Sequence, residues 1–428
     1  MGRCRCIWIS YMRLGTFDML CHGPIGLCVV AALVGGTACQ SEASQTQPAV
    51  LRVDSAGLEV VTNIAPAWQP DELWVVEAKP ALQIGTADGD PEYELYGVRG
   101  AIRLPNGTLA IANAGTSEIR YFDAQGRYVR SAGRAGSGPG EFASGGGLTS
   151  IWRERGDTIG AWEHMRSRLA LFDGRGSFVR QVSVSPSSIP QLVGRFRDGS
   201  FLMRFPNTQR SFGTPWVVER QTADYARFSA DGQSRSDIET LPGPERMTAE
   251  WEGRLFAGAP PFALDPAYAV GDTLFYYGSS EAFVIRVYSW AGRLTRLIRR
   301  IEPDRKLTRE DVIKHNAERL AQAPPEQRAT YDKFFAAEPW PDRIPAHRRF
   351  VLDVEGFLWV QLYPLPRADQ TNEWSVFDPT GVWLGDVTVP PDITIFEIGS
   401  DYIMASRRDE LGVERLVLHR ILKRPRSR

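Results

Sequence analysis

The chain has 428 residues, 43% hydrophobic and 24% charged, with 40 glycines and 29 prolines. That balance supports a turn-rich globular core and excludes a disordered or fibrous chain. A formal net charge of −1 leaves no basic field for nucleic acid. All the cysteines (Cys4, Cys6, Cys21, Cys28 and Cys39) precede residue 40, so no disulfide framework holds the body. Thiol avoidance of this kind suits an oxidising compartment.

In chain order, the first element is a leader. Arg3, Arg5 and Arg13 precede an apolar run, Ile25 to Val34, followed by small residues up to Cys39. The run suits a signal-peptide core over 1–38 and is too short to span a bilayer alone. Gly36-Thr37-Ala38-Cys39 resembles a bacterial lipobox, which implies acylation of Cys39; it departs from the pattern at Gly36, where Leu is usual. Residues 39–50 read as a flexible tether. The stretch before Met12 leaves the start open among Met1, Met12 and Met19.

The body, 51–428, is built from one recurring unit. Its clearest copy runs from Gly100 to Gly133: a strand, the turn Pro105-Asn106-Gly107, a second strand, a third strand EIRYFD, the turn Asp123 to Gly126, and a fourth strand. Asn-Gly and Asp-x-x-Gly are hairpin signals because such turns need positive φ, which Gly and Asn tolerate. The second strand returns at Thr158–Trp162, Ser200–Arg204, Thr273–Tyr277, Phe357–Gln361 and Tyr402–Ser406. The turn glycines Gly126, Gly176, Gly232, Gly292 and Gly381 are spaced by 50, 56, 60 and 89 residues, so only the last interval needs an insertion.

Repeated four-strand units predict an all-β fold, a six-bladed β-propeller with four-stranded blades. The sixth unit lacks a fourth strand after Arg415–Leu422, so an N-terminal strand at Ala81–Gly85 is expected to close the last blade, with Leu51–Val61 as an extra edge strand. Residues 307–337 change period: Thr308 and Asp311 form a cap, Val312, Ile313, Ala317, Leu320 and Ala321 an apolar stripe, and Pro324-Pro325 a break before Phe334 and Phe335. A small helical insertion over 303–345, between blades four and five, follows. The segment GTLAIANAGTSEIRYFDAQGRYVRSAGRAGSGPGEF resembles the NHL-type repeat of six-bladed propellers, matching at Phe122, Asp123 and Gly126 and departing at Asn113 and Glu118.

In such blades, turns joining strands one to two and three to four share one face, and the remaining connections share the other. The long segments Phe205–Ala223, Leu241–Pro261, Arg300–His347 and Pro364–Asn372 all belong to the second class. Binding concentrates on loops over a rigid scaffold. Arg204, Arg210, Trp216, Arg246, Trp251, Arg254, Tyr363 and Arg367 are the candidate binding face, since Arg and aromatics dominate interface hot spots.

No HExxH, GxSxG, Walker-type or Cys/His zinc spacing is present. His164 and Glu163 end a second strand and are the candidate metal ligands, against the simpler reading of a polar rim. The expectation is therefore an exported, lipid-anchored, non-enzymatic propeller of the cell envelope. It would bind a protein, peptide or glycan, touch the membrane only through its leader or lipid, and need no cofactor. The alternative is a metal-dependent propeller enzyme of lyase, lactonase or hydrolase type holding calcium or zinc. A third reading is a structural part of an envelope assembly, similar to the propeller of the Tol system.

Overall fold

The computed structural model describes residues 48–154, 156–184, 190–207, 216–251, 253–366 and 372–423, without the side chains of Trp251 and Arg254. The leader over 1–38, Cys39, Arg210 and Arg367 lie outside the described residues.

Turn chemistry sets the local structure. Asp123 Oδ1 accepts from the Gln125 and Arg127 backbone N–H groups at 3.0 and 2.9 Å, and Gly126 takes φ +79°. Asp173 and Asp378 make the same two bonds in their own turns. An Asx turn of this kind reverses the chain tightly enough to place the flanking strands in register.

The described strands fall into six sheets. Sheet one comprises Val98–Arg103, Leu109–Asn113, Glu118–Phe122 and Tyr128–Ala132; sheet two comprises Leu148–Arg153, Ile159–Glu163, Arg168–Phe172 and Phe178–Ser183. Sheet three comprises Gln191–Arg195, Phe201–Asn207, Trp216–Phe228, Arg235–Trp251 and Arg254–Gly258. Sheet four has Ala267–Val270, Leu274–Gly278, Val284–Ser289 and Leu294–Arg300; sheet five has His347–Leu352, Leu358–Leu362, Asn372–Phe377 and Trp383–Val389. In sheet six, Ile393–Ile398 and Tyr402–Arg408 lead to Glu414–Leu422, which pairs antiparallel with both Leu82–Ile84 and Val75–Val76.

Second strands such as Leu109–Asn113 and Ile159–Glu163 are buried at every position, which explains their continuous apolar sequence: both faces are covered. What covers them is the next sheet. Apolar clusters join sheets one and two, two and three, three and four, four and five, and five and six; a further cluster joins sheet six to sheet one through Met404, Leu416, Ile111 and Phe122. Side chains as large as Trp162, Trp359 and Trp374 are fully enclosed, each contributing roughly 1.5–3 kcal/mol. Residues from the first strand of every sheet line one cavity of about 610 Å³.

Three local readings are corrected. Leu51–Val61 is a hairpin of two strands, Val50–Ser55 and Leu58–Asn63, because Ala56 and Gly57 both take positive φ and reverse the chain. Its second strand adds in parallel to Leu294–Arg300. The expected loops Phe205–Ala223 and Leu241–Pro261 are largely strand: Trp216 pairs with Ala249 and Phe228 with Arg235 along one long ribbon. Polar residues such as Glu219, Arg220 and Glu245 interrupt its apolar pattern, so periodicity did not reveal it. In the insertion, Ile313 is 61% exposed and Ala317 and Ala321 are exposed, whereas His315 and Arg319 are partly covered. Val312 and Leu320 of the expected stripe are partly covered as well, so the covered face of the helix mixes apolar and polar residues.

Asn63 fastens the hairpin to two sheets. Its Nδ2 donates to the Arg299 and Gly381 carbonyls, each at 3.0 Å, and its Oδ1 accepts from the Trp383 N–H at 2.8 Å. Asn63→Ala leaves buried backbone groups unpaired, at about 1–3 kcal/mol each. The expected loss is about 3 kcal/mol in urea denaturation; a loss below about 0.5 kcal/mol would show that the staple carries no load.

Candidate functional site

Two helices form one wall of the site. α1 (Arg309–Gln322) starts at a capping box in which Thr308 Oγ1 accepts from Asp311 N–H at 3.2 Å and Asp311 Oδ2 accepts from Thr308 N–H at 2.9 Å. Pro324 and Pro325 end it, and α2 (Arg328–Ala337) turns back. α2 buries Phe334 against Trp216 and Phe256 of the sheet-three ribbon, with ring centroids 4.9 and 4.8 Å apart. Arg319 lies 3.7 Å over the Phe335 ring and pairs with the Glu338 carboxylate, so the two helices are locked together.

The second wall is the segment after the ribbon. Pro260 and Pro261 lead into Phe262, which is buried yet takes φ +51°. A bulky residue in the left-handed region costs roughly 1–3 kcal/mol and persists only where its surroundings hold it. Here the ring is held by His315 at 4.7 Å and by Trp340 and Tyr363 at 5.9 Å.

Between these walls lies a pocket of about 340 Å³, whose lining includes Phe262, His315, Arg319, His347, Arg348 and Tyr363. Its parts come from the connections between sheets three and four and between four and five, and from sheet five. Arg305 braces the wall: its Nη1 donates to the Pro345 and Tyr363 carbonyls at 2.9 and 3.2 Å. The Arg348 guanidinium lies 5.2 Å over the Tyr363 ring, and burial raises the Tyr363 pKa, so its hydroxyl stays protonated. The pocket thus offers the Arg348 guanidinium, a phenol and flat aromatic walls, with Asp265 also in its lining and Arg319 held by Glu338.

His347 is 1% exposed, and neither ring nitrogen has a hydrogen-bond partner among the described residues. Burial, with Arg305 nearby, pushes its pKa down to about 3, so the ring is neutral. Gly278 makes room for it: a Cβ there would sit 2.5 Å from His347 Nε2.

The expected site residues are dispersed. Tyr363 lines the pocket, and Trp216 supports it from behind through Phe334. Arg204 is buried, donating to Gln191 Oε1 at 2.7 Å, and does not form part of an exposed face. Arg246 is exposed on Arg235–Trp251, with Nη1 bonded to the Glu245 carbonyl at 3.0 Å. Trp251 and Arg254 end and begin neighbouring strands of sheet three. Glu163 is 1% exposed, accepts from Ala143 N–H at 2.8 Å and pairs with Arg166 and Arg168. His164 donates its backbone N–H to the Gly147 carbonyl at 3.0 Å. Among the described residues, no three His, Cys, Asp or Glu side chains converge to hold a metal. Sequence reasoning missed Phe262, His315, His347 and Arg348; the Pro-Pro-aromatic run at 260–262 is the one local signal that could have drawn attention there.

No known family's profile matches the chain, and no curated protein matches it. Among solved structures, it is similar to a putative exported protein from Bacteroides fragilis, at 12% identity and TM-score 0.45, covering 86% of this chain and all of that one. A member of the DUF4221 family from Bacteroides vulgatus is similar at 11% identity and TM-score 0.49, covering 83% of this chain and all of the other. Virginiamycin B lyase from Staphylococcus aureus is similar at 10% identity and TM-score 0.39, covering 82% and 99%.

A neutral buried His347 makes stability depend on pH. Between about 3 and 6.5 the unfolded chain binds a proton that the folded chain refuses, so stability falls as pH drops through that window, by roughly 1.4 kcal/mol per unit. From pH 7 to pH 5, urea denaturation is expected to show wild type losing about 2 kcal/mol more than His347→Leu. Equal losses in the two proteins would place the titration elsewhere.

Proposed function

We propose that this chain is an exported six-bladed β-propeller that binds an extended peptide on the face carrying its long connections. Support for the propeller comes from the circuit of apolar clusters, which returns from sheet six to sheet one, and from the cavity lined by every first strand. Support for export comes from the leader, with lipid attached at Cys39. Cys39→Ser is expected to release the protein from membranes to the soluble envelope fraction; retention in the membrane fraction would remove the lipid anchor from this reading.

One observation carries the choice of a peptide. Arg254–Gly258 is the last strand of sheet three, pairing with Arg235–Trp251 on one side, and the chain runs from it directly into the pocket-lining residues Ala259–Ala263. Leu255 on this strand is 68% exposed. An edge strand presents unpaired backbone donors and acceptors, and a peptide adding to it would deliver side chains at every second position. The pocket at its end would accept an aromatic side chain against Phe262 and Tyr363, and Arg348 favours a neighbouring carboxylate.

The test is fluorescence anisotropy with labelled heptapeptides carrying a central Tyr beside Asp. Tyr363→Ala and Arg348→Ala are each expected to weaken binding about tenfold, in line with a loss near 1.4 kcal/mol. N-methylation of alternate peptide nitrogens on the pairing edge should abolish it. Binding that survives both substitutions and backbone methylation would overturn the proposal, as would affinity for a neutral oligosaccharide in place of the peptide.

A further inference from the structure

The cavity along the axis of the six sheets is separate from the peptide pocket in its lining and in its charge. Most of its charged side chains are already engaged. Arg153 pairs with Glu397 at 3.3 Å and Arg195 with Glu154 at 2.6 Å. The Asp353 carboxylate accepts from the Glu355 and Phe357 N–H groups, each at 2.9 Å, and from Trp359 Nε1 at 3.2 Å.

Arg349 differs. It stands on the sheet-five strand His347–Leu352 and lines the same cavity, and its side chain has no hydrogen bond or ion pair among the described residues. The apolar and aromatic residues lining the cavity include Ile151, Leu192, Tyr268 and Phe396, the last two from sheets four and six on either side of sheet five. A guanidinium keeps its proton in any protein environment, so partial burial without a counter-ion is a standing cost that loss of charge cannot relieve. Burial lowers the Arg349 pKa, with no opposing charge named as a cause. Such a group is stabilised by an anion, and its planar fork matches a carboxylate in bidentate geometry.

We infer that the axial cavity is a second binding site, in which Arg349 receives the carboxylate of a small organic acid whose apolar body lies against Tyr268 and Phe396 of the neighbouring sheets. A cavity of about 610 Å³ has room for a ligand of this kind. The inference stands apart from the peptide pocket, since neither needs the other's residues.

The experiment is a thermal melt of the full chain with sodium benzoate, with benzamide as the neutral isostere, with sodium chloride at equal ionic strength, and with inorganic phosphate. Benzoate is expected to raise the melting temperature while benzamide and chloride leave it unchanged. Arg349→Met should melt higher than wild type without ligand, because it removes an uncompensated charge, and its benzoate affinity should fall at least tenfold. Arg349→Lys should keep part of the response, as a point charge without the fork. Equal shifts with benzoate and benzamide, an unchanged response in Arg349→Met, or a lower melting temperature of that variant without ligand would each overturn the inference. A shift with phosphate and none with benzoate would overturn the carboxylate assignment.

Discussion

The structure depends on a turn that has no room for a side chain. The turn joining the third and fourth strands of a sheet presses its glycine against the outer strand of the sheet before it. A Cβ at Gly232 would lie 3.1 Å from the Ser183 carbonyl oxygen, and one at Gly381 would lie 2.9 Å from Ile298 Cγ1; both glycines also take positive φ. Gly126 and Gly176 sit in the same way against Leu82 and Ala132, whereas Gly292 has ordinary contact with Ile238 and is required there by its positive φ. Local backbone geometry and sheet-to-sheet packing therefore make the same demand at one residue. That double demand is why the Asp-x-x-Gly signature recurs although the strands around it diverge freely.

Repetition made much of this fold legible in the sequence. The second strands Leu109–Asn113 and Tyr402–Arg408 lie where the repeat places them, because each must be apolar on both faces and end at a turn residue. Elements outside the repeat were harder to read. The ribbon Trp216–Phe228 with Arg235–Trp251 carries charge along its length, so neither period stands out. The stripe on α1 was legible only in part, because the helix covers His315 and Arg319 beside Val312 and Leu320 while leaving Ile313 in solvent. The pocket was least legible of all, since Phe262, His315, His347 and Tyr363 come from three different segments and meet only after the sheets have packed.

The two cavities share an energetic character. Phe262 is strained, His347 is buried without a partner, and Arg349 is partly buried without a counter-ion, whereas charged groups elsewhere in the interior, such as Glu163 and Arg305, are fully engaged.

The pairing of Leu82–Ile84 with Glu414–Leu422 has a temporal meaning. Arg415 donates to the Gly85 carbonyl across 330 residues of chain, so this contact forms only when nearly the whole body is present. Loop closure over such a span is entropically slow, and until it happens one strand at each end of the polypeptide stays open. A chain whose last stitch joins segments this far apart cannot close its final sheet until nearly all of the body has been made.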